Sequence, residues 1–238
     1  KVPLERREIG ILALFAVVTF TQGWTGTVIT HALPFVRESF DLDDRGVFDL
    51  MAVIRAVALT GLLFSWWGDH RGRRVPLLLA FVMLGSFNLA TAFAPDYGWF
   101  LWLQAGSRIG GAALAALTIV VLAEELNPGV RGWGLGIAAL FTAVGTGFGL
   151  FMRILGEGTD DGWRLLYAVS ALPLLAAPFL AARLRESRAY QQRAVRPPLI
   201  EVFRSGMARY FWPMAILSMA VSAFTVPAAN LALVRMEN

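Results

Sequence analysis

Ser65-Trp66-Trp67-Gly68-Asp69-His70-Arg71-Gly72-Arg73-Arg74 joins two long apolar runs. Gly72 admits a backbone with positive φ, so the stretch reads as a tight hairpin between two helices. Arg71, Arg73 and Arg74 fix the hairpin in the cytoplasm, because basic loops are retained on that side of a bilayer. Asp69, near a helix terminus, is placed to pair with these arginines or with a neighbouring helix end. On chemistry alone two readings stand: a positive-inside loop and nothing more, or a charged contact point.

The runs on either side of the hairpin belong to a pattern that fills the chain. Hydrophobic residues make up 57% of the 238 positions and charged residues 16%, against about 25% charged in soluble domains. A soluble core of this size cannot hide so much apolar surface, which excludes a soluble globular enzyme, a disordered chain and a fibre. Runs near twenty residues long predict seven membrane helices, at roughly 9–34, 47–67, 75–94, 99–122, 133–155, 163–182 and 210–234. The first is no signal peptide, since it is long, lacks a small-residue cleavage site and is followed by more spans. The only long polar stretch, 183–209, holds seven arginines and Pro197-Pro198 and reads as a cytoplasmic linker. The expected organisation is a six-helix bundle over 1–182, the linker over 183–209, and a seventh span over 210–238 that begins a second bundle.

The basic residues set the orientation. Lys1, Arg6 and Arg7, then Arg71, Arg73 and Arg74, then Arg131, and finally the linker arginines fall on one side; Arg37, Arg45, Arg153 and Arg164 fall on the other. The amino terminus is therefore expected in the cytoplasm of a multi-pass protein of the plasma or inner membrane. The net charge of +4 is a topology marker, and no nucleic-acid partner is expected. A seven-helix receptor places its amino terminus outside, and a retinal protein needs a lysine late in the chain, whereas the one lysine is Lys1.

The hairpin resembles the signature loop of the major facilitator superfamily, Gly-x-x-x-Asp-(Arg/Lys)-x-Gly-x-(Arg/Lys)-(Arg/Lys), in its place between the second and third helices. Asp69, Gly72, Arg73 and Arg74 match; Ser65 stands for the first glycine and His70 for the first basic residue. Other marks resemble the family in order: Ala32-Leu33-Pro34 with Phe40, Arg108-Ile109-Gly110-Gly111, then Glu124, Pro128, Arg131 and Gly132, then Gly162-Trp163-Arg164 and Arg185-Glu186-Ser187. The resemblance implies an all-α fold, two inverted three-helix repeats per six-helix bundle, and alternating access. It implies that Asp69, Gly72, Arg73 and Arg74 form a conformational gate in contact with the transporter's other half. That half is expected as a missing C-terminal bundle or a second copy of this chain.

Ionisable groups at membrane depth cost about 2.5–3.5 kcal/mol on insertion scales, so each is a site hypothesis. Arg108, near the middle of the fourth span, is an anion clamp or a control on a neighbouring acid, against the alternative of a structural arginine bonded to helix carbonyls. Arg55 lies in the second span, and Asp49, the one acid plausibly within spans one to six, is the proton-coupling candidate. Span one is unusually polar, and Gln22, Trp24 and Thr25 are its solute-contacting candidates. There Thr19, Gln22, Gly23, Gly26 and Thr30 form a small-polar stripe, read as a cavity wall or as a close-packing face. Gly145 and Gly149 in span five form a helix-packing pair; Leu150 stands where the family's antiporter motif has proline.

The function expected is secondary active transport of a small organic solute, proton-coupled, with a non-transporting scaffold or a dimerising half-transporter as the alternatives. With no cysteine and only His31 and His70 on opposite sides, no nucleophile, metal or cofactor set is expected, and the chain is not read as an enzyme.

Overall fold

The computed structural model describes residues 5–157, 159 and 161–187, with positions 209, 212, 213, 216 and 217. The chain divides into two units, Lys1–Gln192 and Arg193–Asn238, and the first holds both of the sites described below. Most of the expected seventh span and of the linker lies outside the described residues.

Six helices among the described residues are long and apolar enough to cross a membrane: Arg6–Ser39, Asp44–Arg71, Arg74–Thr91, Tyr97–Glu125, Pro128–Met152 and Gly162–Arg183, numbered spans one to six. No strand occurs among these residues, and the fold is all-α. Local chemistry sets the ends. The Asp43 carboxylate accepts from the Gly46 amide at 2.7 Å and that of Asp96 from the Trp99 amide at 2.9 Å, capping spans two and four. Pro128 opens span five, where its missing N–H is no loss. Gly72 closes span two with φ 106° and ψ 158°, a conformation essentially reserved for glycine.

Two spans are broken. Span six passes through a 3-10 stretch, Leu172–Ala176, at Pro173, which cannot donate to the helical ladder. Span two tightens into a 3-10 turn at Leu59–Gly61 without any proline. Gly61 there lies against span four so closely that a Cβ would sit 2.8 Å from the Ala112 Cβ.

The pairing of spans has an internal symmetry. Span one packs along span five as span four packs along span two, and span three packs along span four as span six packs along span one. Exchanging spans one to three with spans four to six maps each pair onto the other, as two inverted three-helix repeats require. Glycine seams make the close pairs possible. A Cβ on Gly145 would lie 2.9 Å from the Trp24 amide nitrogen, and one on Gly23 would lie 3.0 Å from that of Thr146. Backbone meets backbone there, which only small residues permit.

Along the bundle axis the interior has three layers. One apolar core gathers Leu12, Phe15, Leu77, Phe81, Leu117 and Leu122; the other gathers Ile29, Val36, Leu50, Phe100, Trp163 and Tyr167. Between them, on spans one, three and four, lie the buried polar side chains Thr25, Asn88, Thr91, Gln104 and Ser107. The exterior is the reverse of a soluble protein's: Phe48, Phe93, Trp102 and Leu175 are mostly exposed, a surface suited to lipid acyl chains.

Candidate functional site

The middle layer surrounds a cavity of about 300 Å³ bounded by spans one, two, three, four and five. Span one contributes Gln22, Thr25 and Gly26; span four contributes Gln104, Ser107 and Arg108; span five contributes Thr142 and Thr146. The walls are held by hydrogen bonds that cross between helices. The Asn88 side-chain amide donates to the Thr25 carbonyl oxygen at 3.3 Å, and the Ser107 hydroxyl donates to the Asn88 Oδ1 at 2.8 Å. Gln104 Nε2 donates to the Thr91 hydroxyl at 3.0 Å, and that hydroxyl donates to the Phe87 carbonyl oxygen at 2.7 Å. Such a buried network costs little only when its members are satisfied, and it then fixes the relative height of spans one, three and four.

The candidates proposed from sequence do not all arrive in one place. Gln22, Thr25 and Arg108 line the cavity together. Thr25 turns its hydroxyl to its own helix, donating to the Thr21 carbonyl oxygen at 2.6 Å, and Thr27 does the same toward Gly23. Trp24 is buried against span five, its ring edge-on to Phe148 with centroids 4.9 Å apart, and does not line the cavity. Arg55 and Asp49 are exposed on span two. Arg55 stands one turn before Ala58, which lines the cavity, but neither Arg55 nor Asp49 lines it. The stripe on span one serves two ends, since Gly23 abuts span five and Gly26 faces open space in the cavity wall. Gly145 and Gly149 both lie in the seam with span one, Gly149 beside Thr27 and His31.

Sequence reading missed Asn88, Thr91, Gln104, Ser107, Thr142 and Thr146. A signal existed for some of them. Gln104, Ser107, Arg108 and Gly111 recur three and four residues apart, which is one helix face, and Thr142 and Thr146 repeat the pattern on span five. Asn88 carries no such signal, because a single polar residue in an apolar run does not reveal its partner.

The signature loop forms a second site, at one end of the bundle. Arg73 is buried at 4% exposure, and its guanidinium donates to the Glu124 Oε1 at 2.9 Å and to the Asp69 carboxylate. The Glu186 carboxylate accepts from the Arg73 amide at 2.6 Å, and the Ser187 hydroxyl donates to the Glu124 Oε2 at 2.6 Å. Arg74 donates to the Ala181 carbonyl oxygen at 2.7 Å. Burial by itself would lower the Arg73 pKa, but the hydrogen bonds and charges of Glu124 and Asp69 outweigh it, so the guanidinium is held above its ordinary value. Gly72 completes the fit, since a Cβ would come within 2.8 Å of the Glu186 carboxyl carbon. Three marks far apart in sequence, at 69–74, 124 and 186–187, thus become one ionic cluster. A further strut lies at this end: the Glu8 carboxylate accepts from the Glu5 amide at 3.0 Å and from the Asn127 amide at 3.2 Å.

The opposite end is held by rings. Phe100 and Trp163 meet edge to face at 5.6 Å, and Phe40 packs on Trp163 at 5.5 Å. Trp163 Nε1 donates to the Ser39 hydroxyl at 3.0 Å. Arg164 donates to the Ala92 and Ala94 carbonyl oxygens at 3.0 and 2.9 Å, satisfying the end of span three.

Six apolar helices in two interlocked repeats, around a polar cavity at mid-height, define a polytopic membrane protein. The chain belongs to the major facilitator superfamily, whose family model matches residues 15–236. Myo-inositol transporter 3C of Cryptococcus neoformans is 29% identical over 188 residues, which are 74% of this chain and 31% of that protein. Synaptic vesicle 2-related protein of Xenopus laevis is 32% identical over 148 residues, 59% of this chain and 26% of that protein. Among solved structures, the xylose transporter XylE from E. coli, in a partially occluded inward-open conformation, superposes with a TM-score of 0.66 at 20% identity, covering 78% of this chain and 50% of that one. A bacterial homolog of the human lysosomal transporter Spinster superposes at 0.67 with 22% identity, covering 90% and 52%. The chain therefore spans about half the length of the solved structures and about a third of the curated relatives that it matches.

Proposed function

We propose that the protein to which this chain belongs is a proton-coupled secondary active transporter that carries a small organic solute by alternating access. The observation that carries the reading is the cavity of about 300 Å³ at the polar middle layer, with Arg108, Gln22 and Gln104 in its wall. A scaffold that only keeps the fold has no use for polar groups placed at such cost away from water. The ionic cluster around Arg73 is the latch of this proposal, a set of directional contacts that forms in one state of the cycle and is released in the other. Because relatives are named for myo-inositol and a structural neighbour for xylose, polyhydroxylated solutes head the panel to be tried. Asp49 is the proton carrier proposed within this chain.

Uptake by the full-length protein in proteoliposomes with an imposed pH gradient tests the reading. Arg108→Ala is expected to abolish uptake, Asp69→Asn to slow it, and Asp49→Asn to uncouple it from the gradient. Unchanged uptake in Arg108→Ala and Asp69→Asn at equal protein density would refute the roles assigned. The membrane is proposed to be the plasma or inner membrane, with the amino terminus in the cytoplasm. In a cysteine-free background of the full-length protein, His70→Cys and Asp41→Cys report sidedness. Only the second should react with an impermeant maleimide on intact cells.

A further inference from the structure

Among the described residues, five hydroxyl side chains line the cavity, Thr25, Thr27, Ser107, Thr142 and Thr146, and each gives its hydrogen to the protein. Thr25 donates to the Thr21 carbonyl oxygen at 2.6 Å, Thr27 to that of Gly23 at 2.7 Å, and Thr142 to that of Ala138 at 2.9 Å, each one helical turn back. Thr146 reaches from span five to the Gly23 carbonyl oxygen at 3.4 Å. A carbonyl oxygen can only accept, so the direction of these four bonds is fixed. Ser107 is turned the same way by a longer chain. The Thr25 carbonyl oxygen also can only accept, which sets the wholly buried Asn88 amide with its nitrogen toward span one. The Asn88 Oδ1 then faces Ser107, whose hydroxyl donates to it at 2.8 Å. Thr91 acts alike on Gln104. Its hydroxyl donates to the Phe87 carbonyl oxygen, so its oxygen accepts from the Gln104 Nε2, and the Gln104 Oε1 is turned away from it. All of these bonds close within spans one, three, four and five and need nothing from the rest of the protein.

We infer that this wall recognises hydrogens that the solute donates, and that Asn88 and Thr91, which stand behind the wall, are positioning residues that set this polarity. A hydroxyl oxygen whose hydrogen is already bonded offers only its lone pairs. A solute O–H adds a bond to such an oxygen, whereas a solute fluorine or ether oxygen can be met only by breaking one. The wall therefore tells a polyol from fluoro derivatives of nearly the same shape, which the shape of the cavity alone does not do. The inference rests on the transport reading for its purpose, but the polarity of the wall stands or falls by binding alone.

The test uses the full-length protein in detergent, with myo-inositol and xylose as parent probes and analogues of each in which one hydroxyl at a time is replaced by fluorine. Fluorine fills nearly the same space but cannot donate. At the positions that meet this wall, replacement is expected to weaken binding roughly two- to tenfold, the worth of one hydrogen bond. Ser107→Ala and Thr142→Val remove an accepting oxygen, and each should erase the penalty at one position while leaving the others. Asn88→Ala releases the Ser107 hydrogen, so the penalty at the position that Ser107→Ala identifies should shrink and the rest should stay. Equal weakening of parents and analogues in Asn88→Ala would overturn its positioning role. If Asn88→Ala does not fold, Ser107→Ala and Thr142→Val decide the matter. The inference is overturned if the fluoro analogues bind as well as their parents at every position, if neither Ser107→Ala nor Thr142→Val changes any penalty, or if neither polyol binds. Binding with the expected penalties but without counterflow of the same polyol in proteoliposomes would sink the transport reading and leave the polarity of the wall intact.

Discussion

The two ends of the bundle are closed by different physics. At the Asp69 end, Arg73 gathers the carboxylates of Asp69 and Glu124, while Glu186 takes the loop's amides. At the other end Phe40, Phe100, Trp163 and Tyr167 meet mostly as tilted and edge-on rings. Ring packing is non-directional and tolerates small slides, because every contact is worth little and there are many. An ionic cluster is worth most at one geometry and loses it over an ångström or two. The lesson is a division of labour: the ring end is held by many small adaptable contacts, and the ionic end by a few directional ones.

The largest break in this comparison is expected from Arg73→Ala. Removing the cation leaves the Glu124 side chain, 10% exposed, without its main counter-charge, and stripping one partner from a buried pair costs about 3–5 kcal/mol. Thermal unfolding of the purified protein should show a large fall. Arg73→Lys should recover only part of it, because one ammonium cannot reproduce the fork to both acids. The pH dependence has a definite sign. A cation whose folded pKa is raised keeps its stabilising contribution at all lower pH and loses it only above its already high value, so between pH 5 and 9 the guanidinium itself adds no slope. Unchanged thermal stability in Arg73→Ala would mean that the cluster is decoration.

Gly72→Ala attacks the same end through the backbone and should cost less, about 2–3 kcal/mol, from a φ of 106° that alanine resists and a methyl group directed at Glu186. The loop has one inexpensive way to relieve both, which is to let Glu186 go. Denaturant unfolding of Gly72→Ala and of the double variant with Glu186→Gln checks this. The two substitutions are expected to be strongly non-additive, since they remove the same contact. Simple additivity would place the strain elsewhere.

Much of this was readable beforehand, for a physical reason. A membrane span announces itself by composition, and the six described spans fall within a few residues of the apolar runs. The loop cluster was half legible: Asp69 and Arg73 were marked by the charged hairpin, and Glu124 and Glu186 by resemblance to the family's marks, but that they form one site is a matter of tertiary structure. Arg108 was legible because a charge at depth is costly. Its companions Gln104 and Ser107 sit on the same helix face and could have been read from spacing; Asn88 could not. The position of Trp24 was not legible, for the opposite reason. Between polar neighbours it looked like a cavity residue, yet helical geometry turns it toward Phe148 on span five. The 3-10 turn at Leu59–Gly61 has no proline to betray it and follows from how closely span four approaches Gly61.

The smallest effect is expected at the ring end, from Arg164→Met. Arg164 is a charged group woven into that end: it lies over the Trp163 ring at 4.3 Å and caps two carbonyl oxygens of span three. It is also about a third exposed and its partner Asp161 is more so, so water can replace what the guanidinium supplies. Methionine keeps the aliphatic stem over the indole and removes only the donors, which makes about 1 kcal/mol a fair expectation. Thermal unfolding beside Arg73→Ala gives the ratio that matters. If Arg164→Met costs as much as Arg73→Ala, both ends are held by ions and the contrast fails. If it costs a quarter as much or less, the ring end holds without its charge, and only the Asp69 end has a single residue whose loss opens it.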